Sequence, residues 1–255
     1  MNGLAAGSMV LALVPLALAW RANRTTTLRQ PLLWALLAWF AWLVAVGGRA
    51  LWAGADQTLT TYLALCLTGC SGIAVLGARR PGVSAWNFVV VGLLAVLMLP
   101  ILQGLGEVRL EPAQAGFLAA TIAISLLNYL PTRLALGAVF VGLACGTELA
   151  RPWGGNAPAW LGTLMLALAP WLAWLGLTIR RMPRSSFDCL WLSYRDRFGF
   201  VWGQRMREQF NRAAHHAGWP VELHWSGLRP STDSAEMLAT LRAILKRFGP
   251  EEVAD

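Results

Sequence analysis

The run AWLGTLMLALAPWLAWLGLTIRRMPR, residues Ala159–Arg184, changes from wholly uncharged to strongly basic within a few residues. Its first part contains no charged side chain over about the 20 residues that a helix needs to cross the hydrocarbon core of a bilayer. Three arginines follow in quick succession, and short cytoplasmic loops of membrane proteins are enriched in arginine and lysine. This run therefore predicts a membrane-spanning helix whose C-terminal end lies in the cytoplasm.

The whole chain has the composition of an integral membrane protein. It contains 255 residues, of which 56% are hydrophobic and 13% charged, and its mean hydropathy is +0.52. A soluble domain carries about 25% charged residues. The formal net charge of +8 could indicate a nucleic-acid partner. However, many of the arginines lie in short loops between apolar runs, where they determine membrane topology, so we expect no nucleic-acid partner.

Seven apolar segments divide the first 180 residues. Their approximate bounds are 4–20, 32–48, 58–78, 86–104, 113–130, 132–147 and 158–179. The sixth is short and lies between Pro131 and Glu148, so it could instead form a re-entrant hairpin with the fifth. The predicted fold class is an all-α membrane protein. A bundle of about seven transmembrane helices (1–180) precedes a small cytoplasmic α/β tail (181–255) with a helix, a single strand and a helix.

Loop charges predict the orientation of this bundle. With the N-terminus outside, the cytoplasmic loops contain basic residues and no acid: Arg21, Arg24, Arg29, Arg79, Arg80 and Arg133. The opposite loops mix both signs: Arg49, Asp56, Glu107, Arg109, Glu111, Glu148 and Arg151. The positive-inside rule then predicts a bacterial inner-membrane protein with an external N-terminus and a cytoplasmic C-terminus. The first segment ends in ALAW, as signal peptides can, but no basic residue precedes it, so we expect an uncleaved helix.

The predicted spans lack the residues that most membrane chemistry needs. Their interiors contain no Asp, Glu, Lys or His, and such groups mark ion pathways and proton relays. All three histidines lie in the tail at a spacing that fits no zinc site, so we expect no haem, no metal and no cofactor. Phosphate-loop, nucleophile-elbow and zinc-protease motifs are also absent from the sequence, so no catalytic residue is assigned. A path for an uncharged molecule stays open.

A long amphipathic helix is predicted in the tail, from about Phe187 to Ala217. Bulky apolar residues recur there at helical spacing, with arginines on the other faces. Such a helix could lie on the inner leaflet or pack on the protein's own cytoplasmic loops, and both alternatives are open. The residues predicted to contact a partner or the membrane surface are Tyr194, Arg195, Arg197, Phe198, Gly199, Trp202, Gly203, Arg205, Trp219 and Trp225.

After this helix, the stretch WPVELHW alternates apolar and polar residues and predicts one strand, Trp219–Trp225. No second strand is recognisable in the tail. The strand is therefore expected to lie as an extended segment on the helices or to pair with another chain. A final helix is predicted to begin at Asp233, with Glu236 completing the cap, and to stop at Gly249.

Three motifs carry a resemblance to known proteins: LGARRPGVSAWNFVVVGLLAVLMLP, LLNYLPTRLAL and YRDRFGFVWGQRMREQFNRAAHHAGWPVELHWSG. Here the chain resembles a family of uncharacterised bacterial multi-pass membrane proteins, and the likeness runs from Leu76 to Gly227. The last motif is the most specific. The resemblance implies no established activity and no catalytic residue, but it implies that the tail motif is a defined structural unit.

Three functions are compatible with these patterns. The favoured one is a non-enzymatic accessory or assembly subunit of a larger inner-membrane complex, or a self-associating protein, whose tail docks a partner or the leaflet surface. The first alternative is a permease-type component for an uncharged or lipid-like molecule, which requires a continuous cavity between helices. The second is a lipid-acting membrane enzyme, which requires polar groups meeting at the inner interface. Its candidate residues are Asn128, Tyr129, Arg133, Tyr194, Arg195 and Asp196.

Overall fold

The structure, a computed structural model, describes residues 2–51, 58–78, 85–104, 110–179, 185–231 and 234–249. The helices within these ranges are α1 (Asn2–Leu11), α2 (Leu13–Ala22), α3 (Arg29–Leu51), α4 (Thr58–Leu76), α5 (Ala85–Leu97), α6 (Leu99–Gln103), α7 (Pro112–Leu127), α8 (Ala135–Ala150), α9 (Ala159–Thr178), α10 (Ser186–His216) and α11 (Ala235–Leu245). The strands are β1 (Glu222–His224) and β2 (Gly227–Arg229), and short 3-10 turns follow α8 and α11. Several residues used above lie outside the described ranges: Asp56, Arg79, Arg80, Glu107, Arg109, Arg180, Arg181, Arg184 and Asp233.

Four of the described helical stretches are long and apolar enough to cross a bilayer: Arg29–Arg49, Thr58–Leu76, Trp86–Gln103 and Ala159–Thr178. Two shorter apolar stretches, Gly7–Ala22 and Pro112–Leu127, fall below that length. A helix of 16 residues, such as α7 or α8, measures about 24 Å, whereas the hydrocarbon core is about 30 Å thick. The number of full-length spanning helices is thus smaller than the seven predicted.

Proline accounts for the interruptions in two segments. Pro15 has no N–H to donate to the carbonyl of Leu11, and α1 and α2 are separated at Ala12, whose own backbone angles stay helical. Pro100 has the same effect near Met98, where α5 ends and α6 begins. Each pair of short helices therefore forms one nearly continuous rod with a local break.

Loops meet at two opposite ends of the bundle. At the tail end, the Thr27 hydroxyl before α3 donates to the carbonyl oxygen of Ala78 after α4, over 3.1 Å. At the far end, Arg49 in the last turns of α3 pairs with Glu148 in the last turn of α8, at 2.9 Å. The turn before α8 contacts the tail, as described below. Helix α8 therefore runs from the tail end to the far end, in the direction opposite to α7, and packs on both α7 and α9.

Two buried tryptophans of α3 connect this helix to α1 and to α4. Trp39 Nε1 donates to the backbone oxygen of Met9 over 3.0 Å, and Trp42 Nε1 donates to the Thr68 hydroxyl over 3.0 Å. Both indoles are buried in the bundle core. An indole N–H needs a partner in a water-free interior, so each tryptophan specifies which helix its own helix contacts.

The tail has its own buried cluster, and that cluster includes part of the bundle. Its aromatic centre comes from α10 and the C-terminal turn, where Phe198 and Phe248 meet with ring centroids 5.0 Å apart. Leu28, Val75 and Ala78 from the tail end of the bundle belong to the same cluster. The tail is therefore packed on the bundle through apolar contact as well as through hydrogen bonds.

The expectation of a single unpaired strand is wrong. β1 pairs antiparallel with β2, with Leu223 opposite Leu228, and the two strands form a hairpin. The other edge of β1 is also occupied, because the Asn211 side chain accepts from Leu223 N at 2.7 Å and donates to Leu223 O at 3.1 Å. The observed strand begins three residues later than predicted, at Glu222. The backbone of the buried Leu223 is thus satisfied within the chain.

The two tail helices lie close to their predicted positions. α10 covers Ser186–His216 but is interrupted at Gly199, whose φ of 80° and ψ of −167° are not helical. α11 is capped by Ser234, whose hydroxyl accepts from Met237 N at 3.2 Å. This corrects the predicted start, since the capping oxygen belongs to the residue after Asp233. Gly249, with a φ of 142°, follows the C-terminal turn.

We expect the substitution Asn211→Ala to destabilise the tail by about 1–3 kcal/mol, because it leaves both backbone groups of the buried Leu223 without a partner. The measurement is hydrogen exchange at the Leu223 amide, together with chemical unfolding of the full chain. Arg212→Ala, one residue further along α10 at an exposed position, is the matched control and should change stability by less than about 0.5 kcal/mol. Equal protection of Leu223 in both variants would contradict the pairing.

Candidate functional site

The ten residues predicted to contact a partner or the membrane have three different environments. Six are buried: Tyr194, Arg195, Phe198, Gly199, Trp202 and Gly203. Trp219 and Trp225 are half-buried, and Arg197 and Arg205 are exposed. The buried members contact the bundle and the hairpin of this same chain. Much of the predicted surface is therefore an interface between the tail and the bundle, called the joint below. Contact of Arg197 and Arg205 with a partner or leaflet stays a prediction.

The joint begins where the break in α10 meets the end of α7. Phe200 N donates to the backbone oxygen of Asn128 over 2.7 Å, and Val201 N donates to the Asn128 side-chain oxygen over 2.9 Å. A side chain at Gly199 would collide with the Asn128 amide, and its backbone angles lie in a region that only glycine occupies readily. The glycine therefore lets two unpaired N–H groups of α10 reach a buried residue of the bundle.

Two tryptophans extend the joint to neighbouring helices. Trp202 Nε1 donates to Val75 O over 3.0 Å, and Trp225 Nε1 donates to Pro131 O over 2.8 Å. Val75 lies in the last turn of α4, where backbone carbonyls have no partner within the helix. The tail thus caps the tail end of α4 and holds the turn that follows α7.

A buried cluster of charges completes the joint. Asp196 accepts from Arg195 Nη2 at 2.6 Å and lies 3.4 Å from Arg133 Nε of the turn before α8. Arg195 also donates to Trp225 O over 2.7 Å, which connects the cluster to the hairpin. Asp196 and Arg195 are 2% and 5% exposed. One carboxylate therefore compensates two guanidinium groups from the two parts of the protein.

These distances bear on the lipid-enzyme alternative. Three of its six candidate residues, Arg133, Arg195 and Asp196, meet within hydrogen-bond reach, so geometry alone does not remove it. However, Asn128, Arg195 and Asp196 are engaged with backbone groups and with one another. The Tyr194 hydroxyl has no hydrogen-bond partner among the described residues, and burial raises the pKa of this phenol above its usual value. The cluster joins the tail to the bundle.

Two partly open cavities lie in the bundle, lined by residues that the structure describes. The outer cavity, at the far end, has a volume of about 420 Å³ and is lined by Arg49, Thr61, Tyr62, Leu65, Glu148 and Arg151, among others. The inner cavity, nearer the tail end, has a volume of about 230 Å³ and a mostly apolar lining that includes Trp39, Trp42, Thr68, Ser125, Tyr129 and Pro170. The outer one is within the size range of small-molecule sites.

Both cavities use the same face of α4. Tyr62 and Leu65 line the outer cavity, and Thr68 and Gly72 line the inner one. Residues separated by three or four positions lie on one side of a helix, so these side chains form one continuous stripe. At the level of Thr68 the buried indole of Trp42 donates to its hydroxyl. The two cavities therefore follow each other along α4, with this pair close to their boundary.

The outer cavity contains a charged group that the sequence analysis assigned only to loops. Glu148 is 6% exposed and accepts from both Arg49 and Arg151. Arg49 and Glu148 are far apart in sequence, and no local spacing links them. Arg151 follows Glu148 by three positions at a helix end, and that short spacing was the only available signal of an ion pair.

Comparison of the chain with protein-family models, with curated proteins and with solved structures finds no match. The resemblance to a family of uncharacterised membrane proteins therefore stays a prediction. Function must be argued from the joint and the two cavities themselves.

We expect Asp196→Asn to weaken attachment of the tail by about 3–5 kcal/mol, because two guanidinium groups lose their shared counter-charge in a buried site. The measurement is the free energy of unfolding in detergent, with limited proteolysis of the tail as a second readout. Glu208→Gln on the same helix is the matched control, since this exposed carboxylate accepts only from Gln204 Nε2 among the contacts described. Similar losses in both variants would show that the charge cluster contributes little.

Proposed function

We propose that this chain is a permease-type protein of the bacterial inner membrane that carries a lipid-like molecule along α4. The observation that supports this most directly is the succession of two cavities on one face of that helix. A permease requires a path between helices, and a solid bundle would have argued against one. The path is interrupted near Trp42 and Thr68. A carrier with alternating access is never open to both sides at once, so such an interruption is expected.

The proposal includes seven crossing segments, with the N-terminus outside and the tail in the cytoplasm. In support, α3 runs from the tail end to the far end, α4 returns, and α8 and α9 repeat this pair of directions. Short helices can cross where the bilayer thins around them, so the 16 residues of α7 and α8 are compatible with crossing.

The lining of the inner cavity indicates the kind of molecule. It is mostly apolar, with hydroxyls of Thr68, Ser71 and Ser125 as its mild polar groups. Thr68 and Ser125 donate to backbone carbonyls of α4 or α7, and this weakens them as donors to a ligand. No charged side chain belongs to the described lining of this cavity. An acyl chain or another extended apolar group suits it better than an ion or a sugar.

The tail has a defined place in this proposal. It caps α4 through Trp202 and Val75, and it holds the end of α7 through Asn128. Ser125 and Tyr129, close to that residue, line the inner cavity. A tail fixed in this way keeps the cytoplasmic ends of two cavity-lining helices at constant spacing.

An accessory-subunit role is the second candidate. The unpaired strand that favoured it is absent, because β1 is paired on both edges. A different observation supports it. Helix α5 and its continuation α6 pack mainly on α4 and leave Phe88 and Leu102 75% and 69% exposed. Another transmembrane helix could cover that face, and so could lipid.

Cys189 provides a test of the orientation without any substitution. It is exposed on α10, whereas Cys66, Cys70 and Cys145 are buried. We expect a membrane-impermeant maleimide to label the protein in inverted inner-membrane vesicles but not in intact spheroplasts. Cys189→Ser is the control and should abolish the labelling. Labelling of spheroplasts would place the tail outside and overturn the topology.

Lipid movement tests the permease itself. We expect the full chain, in phosphatidylcholine vesicles containing a trace of NBD-labelled lysophosphatidylglycerol, which has a single acyl chain, to expose inner-leaflet probe to external dithionite. Ala35→Phe fills the inner cavity and should slow this movement by about tenfold, because the larger ring occupies the space proposed for the acyl chain. Ala123→Phe, at an exposed position of α7, is the matched control. No movement, or equal rates in both variants, would refute the permease.

A further inference from the structure

The outer cavity combines apolar walls with a fixed pair of cations. Arg49 comes from α3, and Glu148 and Arg151 come from the end of α8 and the turn after it. We propose that this cavity binds the anionic head of a lipid-like amphiphile, a carboxylate or phosphate carried on a single acyl chain. This inference rests on the proposed function and names its substrate class.

The charge balance of the described lining favours an anion. Two guanidinium groups face one carboxylate, which leaves one positive charge in excess. The side chain of Glu148 is 3% exposed, whereas those of Arg49 and Arg151 are 22% and 38% exposed. A ligand that enters the cavity therefore meets the cations before it meets the carboxylate.

Glu148 orients the two arginines rather than repelling the ligand. It accepts from Arg49 at 2.9 and 3.0 Å and from Arg151 at 3.0 and 3.2 Å, so all its strong acceptor directions are occupied. Thr61 takes one further N–H of Arg49 at 2.8 Å. A guanidinium has five N–H groups, and these bonds leave some on each arginine for another acceptor. Planar donors fixed in this way suit a carboxylate or a phosphate.

The apolar part of the cavity gives the acyl chain a direction. Leu65, Leu110 and Leu149 form its walls, and Leu65 lies one turn from Thr68 at the start of the inner cavity. With the anionic head bound at Arg151, the acyl chain would lie along the α4 stripe, and its methyl end would point toward the tail end of the bundle. A ligand with both parts uses both cavities, which neither a free anion nor a plain hydrocarbon does.

A purely structural ion cluster is the competing explanation. Removing two or three charges from water is costly, and apolar residues of similar volume often stabilise a protein as well or better. Such a cluster is therefore weak as a stabilising device on its own. Its position in the wall of a cavity, with both cations partly accessible, points to a ligand.

The experiment measures binding to the full chain, purified in dodecyl maltoside, of two probes with the same chain length. The probes are radiolabelled palmitate and radiolabelled palmityl alcohol. We expect palmitate to bind at least about tenfold more tightly than the alcohol, and this preference to fall at high salt because it is electrostatic. Arg151→Gln should remove the preference, while Arg151→Lys, which keeps the charge, should retain most of it. Arg212→Gln, at an exposed arginine of α10, is the matched control and should leave both affinities unchanged.

Four outcomes separate this inference from the proposed function. Equal affinity for acid and alcohol, with both weakened by Ala35→Phe, would overturn the head site and leave the permease intact. Binding of neither probe would overturn the head site, and the lipid-movement assay then decides the permease separately. Displacement of palmitate by millimolar inorganic phosphate would support an anion site. Binding of phosphate without binding of palmitate would overturn the amphiphile and identify a free anion as the ligand. Thermal unfolding of each variant controls for misfolding.

Discussion

The structure depends on the satisfaction of backbone groups at the ends of α4 and α7. Helix ends leave carbonyl oxygens without partners, and such groups are costly wherever water is excluded. Here the tail supplies further donors: the Trp202 indole reaches Val75 O, which also accepts from Ala78 N, and the N–H of Phe200 reaches Asn128 O. The contact with Asn128 O exists only because Gly199 lets α10 open its own hydrogen-bond ladder at that point. One glycine and one asparagine thus provide a central contact between the tail and the bundle.

Helix α4 is central to both parts of the molecule. It packs against α3, α5 and α7, it lines both cavities with one face, and its last turn is capped by the tail. A change at the tail end of α4 therefore acts on the same rigid rod that forms the wall of the outer cavity. This arrangement physically links the tail to the outer cavity at the opposite end of the bundle through one helix.

Sequence reasoning found the elements that have strong periodicity. The predicted start and end of the tail helix, Phe187 and Ala217, each differ by one residue from α10, because bulky apolar residues recur through its whole length. The hairpin was missed for an equally physical reason. β2 has three residues, Gly227–Arg229, too few for an alternating pattern to stand out. The number of full-length spanning helices was overestimated. An apolar run indicates a hydrophobic environment, but a helix that crosses the bilayer must also be about 30 Å long.

The candidate site was harder to predict than the fold, since it depends on contacts between distant parts of the chain. Arg49 and Glu148 were counted as outer-loop charges, and no sequence spacing indicated that they would pair inside a cavity. Arg195 and Asp196 were recognised as candidates, but their engagement with Arg133 and Trp225 depends on how the tail folds back on the bundle. Local patterns carry information about elements, and such contacts arise only after the elements have packed.

The hydrogen bond from Thr27 N to Phe248 O, at 3.0 Å, has a consequence for biosynthesis. It joins the loop between α2 and α3 to the last described turn, so this contact forms only after Phe248 has left the ribosome. A chain that stops before α11 cannot make it, and the N–H of Thr27 then lacks this acceptor.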